Sequence, residues 1–162
     1  MDGYNKVAEA LKELNIEYEL VEHPPAFTCE EADAYIEGYE GVRTKTMFLT
    51  NKKKTDYFLV IMDDAKRLDM VRFEEVAETK RVKMASPESL FEKLKLTPGT
   101  VTPFGLLNND SRDIRVFIDK EIFGEERMSF HPNTNNKTIF VKTTDLVKFL
   151  ESVDCTPVVA EL

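Results

Sequence analysis

The chain has 162 residues, 42% of them apolar and 32% charged, the balance of one compact domain able to bury a core without disulfide or metal support. Thirty acidic residues against twenty-two basic ones give a formal net charge of -8, which argues against nonspecific nucleic-acid binding by bulk attraction and leaves a local basic face as the alternative. No tract approaches the roughly 20 apolar residues of a membrane helix, and the run from Tyr57 to Met62 has the length of a strand.

The start, Met1-Asp2-Gly3-Tyr4, is polar and acidic; it lacks the basic and apolar regions of a secretory signal, which predicts a cytoplasmic location. Val7, Ala10, Leu11 and Leu14 have the spacing of an amphipathic helix over Tyr4 to Leu14, and Tyr18 and Leu20 read as a short half-buried strand. Pro24-Pro25 ends regular structure. Thr28-Cys29-Glu30-Glu31 is a capping box opening a helix that runs to Ile36 and stops at Gly38.

Thr44 to Thr50 and Asp56 to Met62 are strand-like runs joined at hairpin length, which predicts an antiparallel pair. Alternation puts Lys45, Met47 and Leu49 on one face and Thr46, Phe48 and Thr50 on the other. Asp69 caps a helix bearing Met70, Phe73, Val76 and Ala77, and Arg81 to Ala85 is a short strand. Ser86-Pro87-Glu88 starts a helix whose apolar side carries Leu90, Phe91 and Leu94. Thr97-Pro98-Gly99 breaks it, and Gly99 to Gly105 is the densest Gly/Pro loop of the chain. Arg115 to Asp119 is a strand followed by a bend through Ile122 and Phe123. Strands at Arg127 to His131 and Thr138 to Val141 precede a last amphipathic helix capped by Thr144 and carrying Leu146, Val147, Phe149 and Leu150. The segment around Cys155 reads as a mobile end. With no repeat and no linker, the pattern predicts one α/β domain over residues 1–162.

Three places stand out chemically. Lys45 is a charge within a partly apolar strand, able to hold a phosphate or a carbonyl oxygen; the alternative is an edge-strand lysine snorkelling to water. The loop Gly99-Thr100-Val101-Thr102-Pro103 offers backbone amides at a glycine and stiffness at a proline, suited to an oxyanion, or is an ordinary helix-to-strand connection. His131, between Phe130 and Pro132, is an acid/base or orienting candidate, or a satisfied structural histidine.

Arg43, Lys45, Lys52, Lys53 and Lys54 fall between Gly41 and Thr55 with no acid among them, so Arg43 and Lys52 to Lys54 are candidate tRNA contacts if the partner is RNA. Cys29 and Cys155 are the only cysteines, giving neither a structural disulfide nor a zinc set. His23 and His131 with a carboxylate are the one remaining metal option. No Gly-x-Ser-x-Gly elbow and no partner for Cys29 support a covalent triad.

These places also carry a resemblance. TKTMFL from Thr44, AKRLDM from Ala65, LTPGTVTPFGLLNND from Leu96 to Asp110, FHPNTN from Phe130 and the terminal TTDLVKFL resemble the YbaK/ProX family of aminoacyl-tRNA deacylases, kin to the editing domain of bacterial-type prolyl-tRNA synthetases. The freestanding Ala-tRNA(Pro) branch is the most similar, and the likeness covers nearly the whole chain.

The resemblance implies a mixed curved sheet or partial barrel flanked by helices, and hydrolysis without cofactor or metal. Lys45 would position the terminal adenosine. Gly99 to Pro103 would be the pocket's GXXXP loop polarising the ester carbonyl, and His131 would organise the pocket; Thr46, Phe104 and Gly105 would contact substrate. A ribose hydroxyl of the tRNA would help activate water. The partner would be aminoacylated tRNA, foremost tRNA(Pro), and the protein a monomer with a homodimer as the alternative. Where alanine-specific members often carry asparagine after the lysine, this chain has Thr46, which keeps a hydroxyl and loses the carboxamide. The competing functions are a tRNA or aminoacyl-adenosine binder without turnover and a hydrolase of small non-tRNA esters.

Overall fold

The computed structural model describes residues 3–162, so Met1 and Asp2 of the polar start lie outside the described residues. Helix α1 (Gly3–Glu13) buries Val7 and Leu11 and leads into strand β1 (Glu19–Glu22). Helix α2 (Cys29–Tyr35) starts where the Thr28 hydroxyl accepts the Glu31 amide at 3.1 Å. The Glu31 carboxylate reaches back one residue further than a capping box requires, accepting from the Phe27 amide at 3.2 Å.

Strands β2 (Val42–Asn51) and β3 (Tyr57–Asp63) form the expected antiparallel hairpin, with Thr44 opposite Asp63 and Thr50 opposite Tyr57. Helix α3 (Met70–Ala77) is capped by Asp69, strand β4 (Val82–Met84) follows, and helix α4 (Pro87–Leu94) is capped by Ser86 with Pro87 in its first turn. Residues Pro103–Asn108 form a 3-10 helix capped by Thr102. Strand β5 (Ile114–Asp119), helix α5 (Lys120–Phe123), strands β6 (Arg127–Phe130) and β7 (Lys137–Lys142), helix α6 (Thr143–Ser152) and strand β8 (Val158–Ala160) complete the order.

Among the described residues eight strands form one mixed sheet in the order β1-β7-β6-β2-β3-β5-β8, with β4 also paired to β2. The sheet is open, with β1 and β8 at its two ends, so it does not close into a barrel. β3 explains the unbroken apolar run: Leu59 and Ile61 join one core, while Phe58, Val60 and Met62 join a second beneath α3 with Phe73 and Phe117. A strand covered on both faces needs apolar residues at every position. Burial of Phe73 and Phe117, edge to face at 5.1 Å between ring centres, holds α3 against the sheet.

Four expectations change. α6 begins at Thr143, not behind a Thr144 cap; the Thr143 hydroxyl donates to the Glu125 carbonyl at 2.5 Å, and no side chain caps the helix. Phe91, assigned to the apolar side of α4, is 56% exposed, and only Leu90 and Leu94 of that trio are buried. The segment beyond α6 is ordered by β8, which runs parallel to β5, and Cys155 is buried with its Sγ 3.6 Å from the Ile114 carbonyl. The second half of the Gly99 to Gly105 loop is helical from Pro103. Among the described residues no helix is long and apolar enough to cross a membrane.

Candidate functional site

β2 is flanked on one side by β3 along most of its length, but its other side is shared. β6 covers only Val42 and Arg43, and β4 covers Leu49 to Asn51. Between them, Thr44 to Phe48 face a notch in the sheet. A cleft of about 350 Å³ occupies this notch, lined by β2 residues 44–48, by α2, by the start of α4, by Pro98, Gly99 and Val101, and by Ser129, Phe130, His131 and Thr138.

The notch explains why residues from both faces of β2 reach one cleft. Main-chain groups of a strand alternate sides as side chains alternate faces. The Thr44 amide points to the notch side, toward Ser129 Oγ at 3.4 Å, and the Phe48 carbonyl accepts there from Ala85 at 3.0 Å. Thr46, of the same parity, therefore turns its amide and carbonyl into the cleft. Its contribution at the wall is at least as much backbone as hydroxyl.

Lys45 is half-buried at the wall and has no ion pair among the described residues. Its ammonium shares its surroundings with two carboxyl groups, Asp33 of α2 and Asp64 just after β3. Burial, a hydrogen bond to Asp33 and the charges of Asp33 and Asp63 push Asp64 up to about 7, opposed by Lys45. Asp64 Oδ2 is buried without a hydrogen-bond partner among the described residues. Burial, then the Asp64 and Asp33 charges, raise the Cys29 thiol, so this cleft residue is not held as a thiolate nucleophile.

His131 follows β6 and lines the cleft. Burial lowers its imidazole below the ordinary value, with the Lys137 backbone opposing, and its Nδ1 is buried with no hydrogen-bond partner among the described residues. A neutral ring with an unused nitrogen is ready for a ligand. His23, by contrast, is committed. Its Nδ1–H donates to the Pro24 carbonyl at 2.8 Å, its Nε2 lies 2.9 Å from the Thr138 hydroxyl, and its ring stacks on Tyr35.

The glycine-to-proline loop reaches the cleft only at its first half. Gly99, at φ +91°, and Val101 line it. The Thr100 amide is used by Thr97 O at 3.1 Å, and the Thr100 hydroxyl donates to the same carbonyl at 2.8 Å. Thr102 is buried with its hydroxyl turned to the 3-10 helix, and Pro103, Phe104 and Gly105 are buried as well. Phe104 packs between Phe130 and Phe149, and a side chain at Gly105 would meet Leu96 at 2.6 Å. Phe104 and Gly105 thus support the wall from behind instead of forming it.

The basic stretch also divides. Arg43 donates to the carbonyls of Gly41, Ile36 and Tyr39 at 2.8, 2.7 and 2.8 Å and lies over the Phe140 ring; its guanidinium fastens the α2–β2 connection and is not free for phosphate. Lys52, Lys53 and Lys54 are exposed at the hairpin tip, at ~3.3 Å per residue some 20 Å along β2 from Lys45. Among the described residues no group of three His, Cys, Asp or Glu could hold a metal ion.

A model of the aminoacyl-tRNA editing domain matches residues 23–149, which include every residue lining the cleft. The chain belongs to the aminoacyl-tRNA editing domain family. This editing domain is 33% identical over 153 residues to the prolyl-tRNA editing protein ProX of Acetoanaerobium sticklandii, covering 94% of this chain and 93% of that protein. It is 34% identical to the prolyl-tRNA synthetase associated domain-containing protein 1 of Danio rerio, over 98% of this chain and 87% of the relative. A crystal structure of the hypothetical protein APE2540 shares the fold with a TM-score of 0.79 at 22% identity, over 96% of this chain and 97% of that one. The editing domain is an aminoacyl-tRNA deacylase, a hydrolase of the ester that joins an amino acid to tRNA.

Sequence reasoning missed Asp33, Asp64, Ser129 and Thr138 at this site. Asp33 and Asp64 come from a helix and a strand end that only the fold brings together. The readable signal was the capping box at Thr28, which fixes the phase of α2 and puts Cys29, Ala32, Asp33 and Ile36 on one face.

Proposed function

We propose that the editing domain removes alanine from tRNA(Pro) in trans, with residues 1–162 acting as one catalytic unit. The observation that carries this reading is the convergence of Lys45, the Gly99 and Val101 edge of the loop, and His131 on one cleft of about 350 Å³. That size is at the small end of ligand sites. It suits a terminal adenosine bearing a small side chain, and the likeness to a protein named for prolyl-tRNA editing supports tRNA(Pro) as the carrier.

In this reading water adds to the ester carbonyl carbon, the bond from that carbon to the ribose oxygen breaks, and the ribose oxygen leaves with a proton. The Lys45 ammonium holds the 3′ end, where a phosphate or the carbonyl oxygen is its complement. Among the described residues the Gly99, Val101 and Thr102 amides have no hydrogen bond; those at the wall face the charge that develops on the carbonyl oxygen. His131, neutral near pH 7, orients the reacting group through its unused nitrogen. A ribose hydroxyl beside the ester activates the water. The exposed Lys52 to Lys54 tip, rather than Arg43, meets acceptor-stem phosphates, and the protein works as a monomer.

The test is deacylation of purified Ala-, Ser-, Cys- and Pro-tRNA(Pro) and of Ala-tRNA(Ala). The expected order places Ala-tRNA(Pro) first and Pro-tRNA(Pro) far behind. Faster hydrolysis of Ser- or Cys-tRNA(Pro) would overturn the alanine assignment, and equal hydrolysis of Ala-tRNA(Ala) would overturn the tRNA assignment.

A further inference from the structure

The cleft wall carries two formal charges of opposite sign. Among the described lining residues Lys45 is the only cation and Asp33 the only carboxylate, and most of the rest is apolar: Ala32, Ile36, Met47, Phe48, Ala85, Leu90, Val101 and Phe130. An aminoacyl ester also presents two polar poles within a few bonds. Its carbonyl and neighbouring phosphate are negative or become so, while its α-amine, titrating near ~7.7–8.0 in reference compounds, is largely cationic at neutral pH. Lys45 is complementary to the first pole. The second has one complement on this wall.

We infer that Asp33 is the anchor for the α-ammonium of the aminoacyl group. This rests on the deacylase reading and adds to it the feature by which the site distinguishes an aminoacyl ester from any other. The placement follows from the fold. The cap at Thr28 sets the phase of α2, so that Asp33 stands on the face that carries Cys29 and Ile36 to the cleft. Asp33 makes no ion pair among the described residues, so its charge is not spent on the protein. Asp64, the acidic neighbour of Asp33, is not among the residues lining the cleft. Asp64 holds a proton more readily than an ordinary carboxyl group, and its hydrogen bond to Asp33 is one cause of that shift.

One consequence is chemical selectivity at the amine. An N-acylated aminoacyl-tRNA has no ammonium to offer and leaves Asp33 buried against an uncharged, bulkier group, so peptidyl-type esters are poor substrates. Small esters without an amine lose the same contact.

The experiment compares alanyl-tRNA with lactyl-tRNA, in which a hydroxyl replaces the amine at almost the same size, using wild type and Asp33→Asn in single-turnover deacylation. Wild type is expected to prefer the alanyl ester. Asp33→Asn is expected to lose roughly 10- to 100-fold in kcat/KM on the alanyl ester, the range for a charged hydrogen bond, and little on the lactyl ester. Asp33→Ser, with the same two substrates, repeats the comparison without a carboxamide. Equal losses on both esters, or no loss on either, would overturn the anchor while leaving the deacylase reading intact. A wild type inactive on both esters would overturn the deacylase reading and the anchor with it.

Discussion

Replacing Lys45 by methionine removes a positive charge while keeping most of the side chain's apolar length. Lys45 is only half-buried and has no ion pair among the described residues, so the change in folding free energy should stay within about 0.5 kcal/mol, as for substitutions that break no buried network. The catalytic effect is of another size. A hydrogen bond between a charged donor and its acceptor contributes about 1.5–3 kcal/mol, which at ~1.4 kcal/mol per tenfold predicts a loss of roughly 10- to 100-fold in kcat/KM. Single-turnover deacylation of alanyl-tRNA beside a thermal melt separates the two effects. A variant that melts like wild type yet hydrolyses within about threefold of its rate would refute the role given to Lys45. The same variant carries an internal check, because Lys45 opposes the upward shift of Asp64. In Lys45→Met the Asp64 carboxyl should titrate higher still.

Three further outcomes follow from the geometry. Asp64 is raised from 3.8 to about 7 in the folded protein, so the fold binds its proton more tightly than the unfolded chain does, and the stability this provides is lost as pH rises through about 7. The Tm advantage of Asp64→Asn over wild type should therefore widen between pH 4 and 7, and parallel profiles would contradict the shift. Burial lowers His131, so an NMR titration of its ring should give a midpoint below 6.5, and a midpoint at or above that value would remove the neutral-imidazole assignment. Gly105→Ala would push a methyl group to 2.6 Å from Leu96 and 3.2 Å from Leu94, with an expected cost of about 1–3 kcal/mol in denaturant unfolding. Gly124→Ala, where nothing lies within 4 Å and φ is -79°, should instead be neutral or stabilise by about 0.4–1 kcal/mol.

Local chemistry made much of this fold readable. Thr28, Asp69 and Ser86 accept the amides that a sequence-level cap predicts, and the doubly buried β3 announces itself as an unbroken apolar run. What failed was decided at a distance. Thr143 looks no better a helix start than Thr144 until the Glu125 carbonyl is beside it. Val158 to Ala160 is too short to register as a strand without β5 as its template. The resemblance implied substrate contact for Phe104 and Gly105, yet the 3-10 turn folds them into the core. Arg43 looked like a free cation because its three carbonyl partners are backbone atoms that composition cannot reveal. Lys45, Gly99 and His131 were legible as candidates, but their meeting depends on β2 lying beside β6, a parallel pairing with 85 residues between Val42 and its partner Met128 that no periodicity encodes.

That pairing is also the shortest join in the sheet, two residues of β2 against two of β6. The β1-β7-β6 strands stand on one side of it and β3, β5 and β8 on the other, with Lys45 just beyond the join on one bank and His131 just beyond it on the other. The Thr44 hydroxyl, donating to the Ser129 carbonyl at 2.5 Å, is a stitch across it. Beneath that narrow seam the two halves share one core, in which Leu59 and Ile61 of β3 lie in the same cluster as Met128, Phe130 and Ile139 of β6 and β7. The width of the notch that Lys45 and His131 share is thus fixed by the packing beneath the seam and by the Thr44–Ser129 hydrogen bond across it.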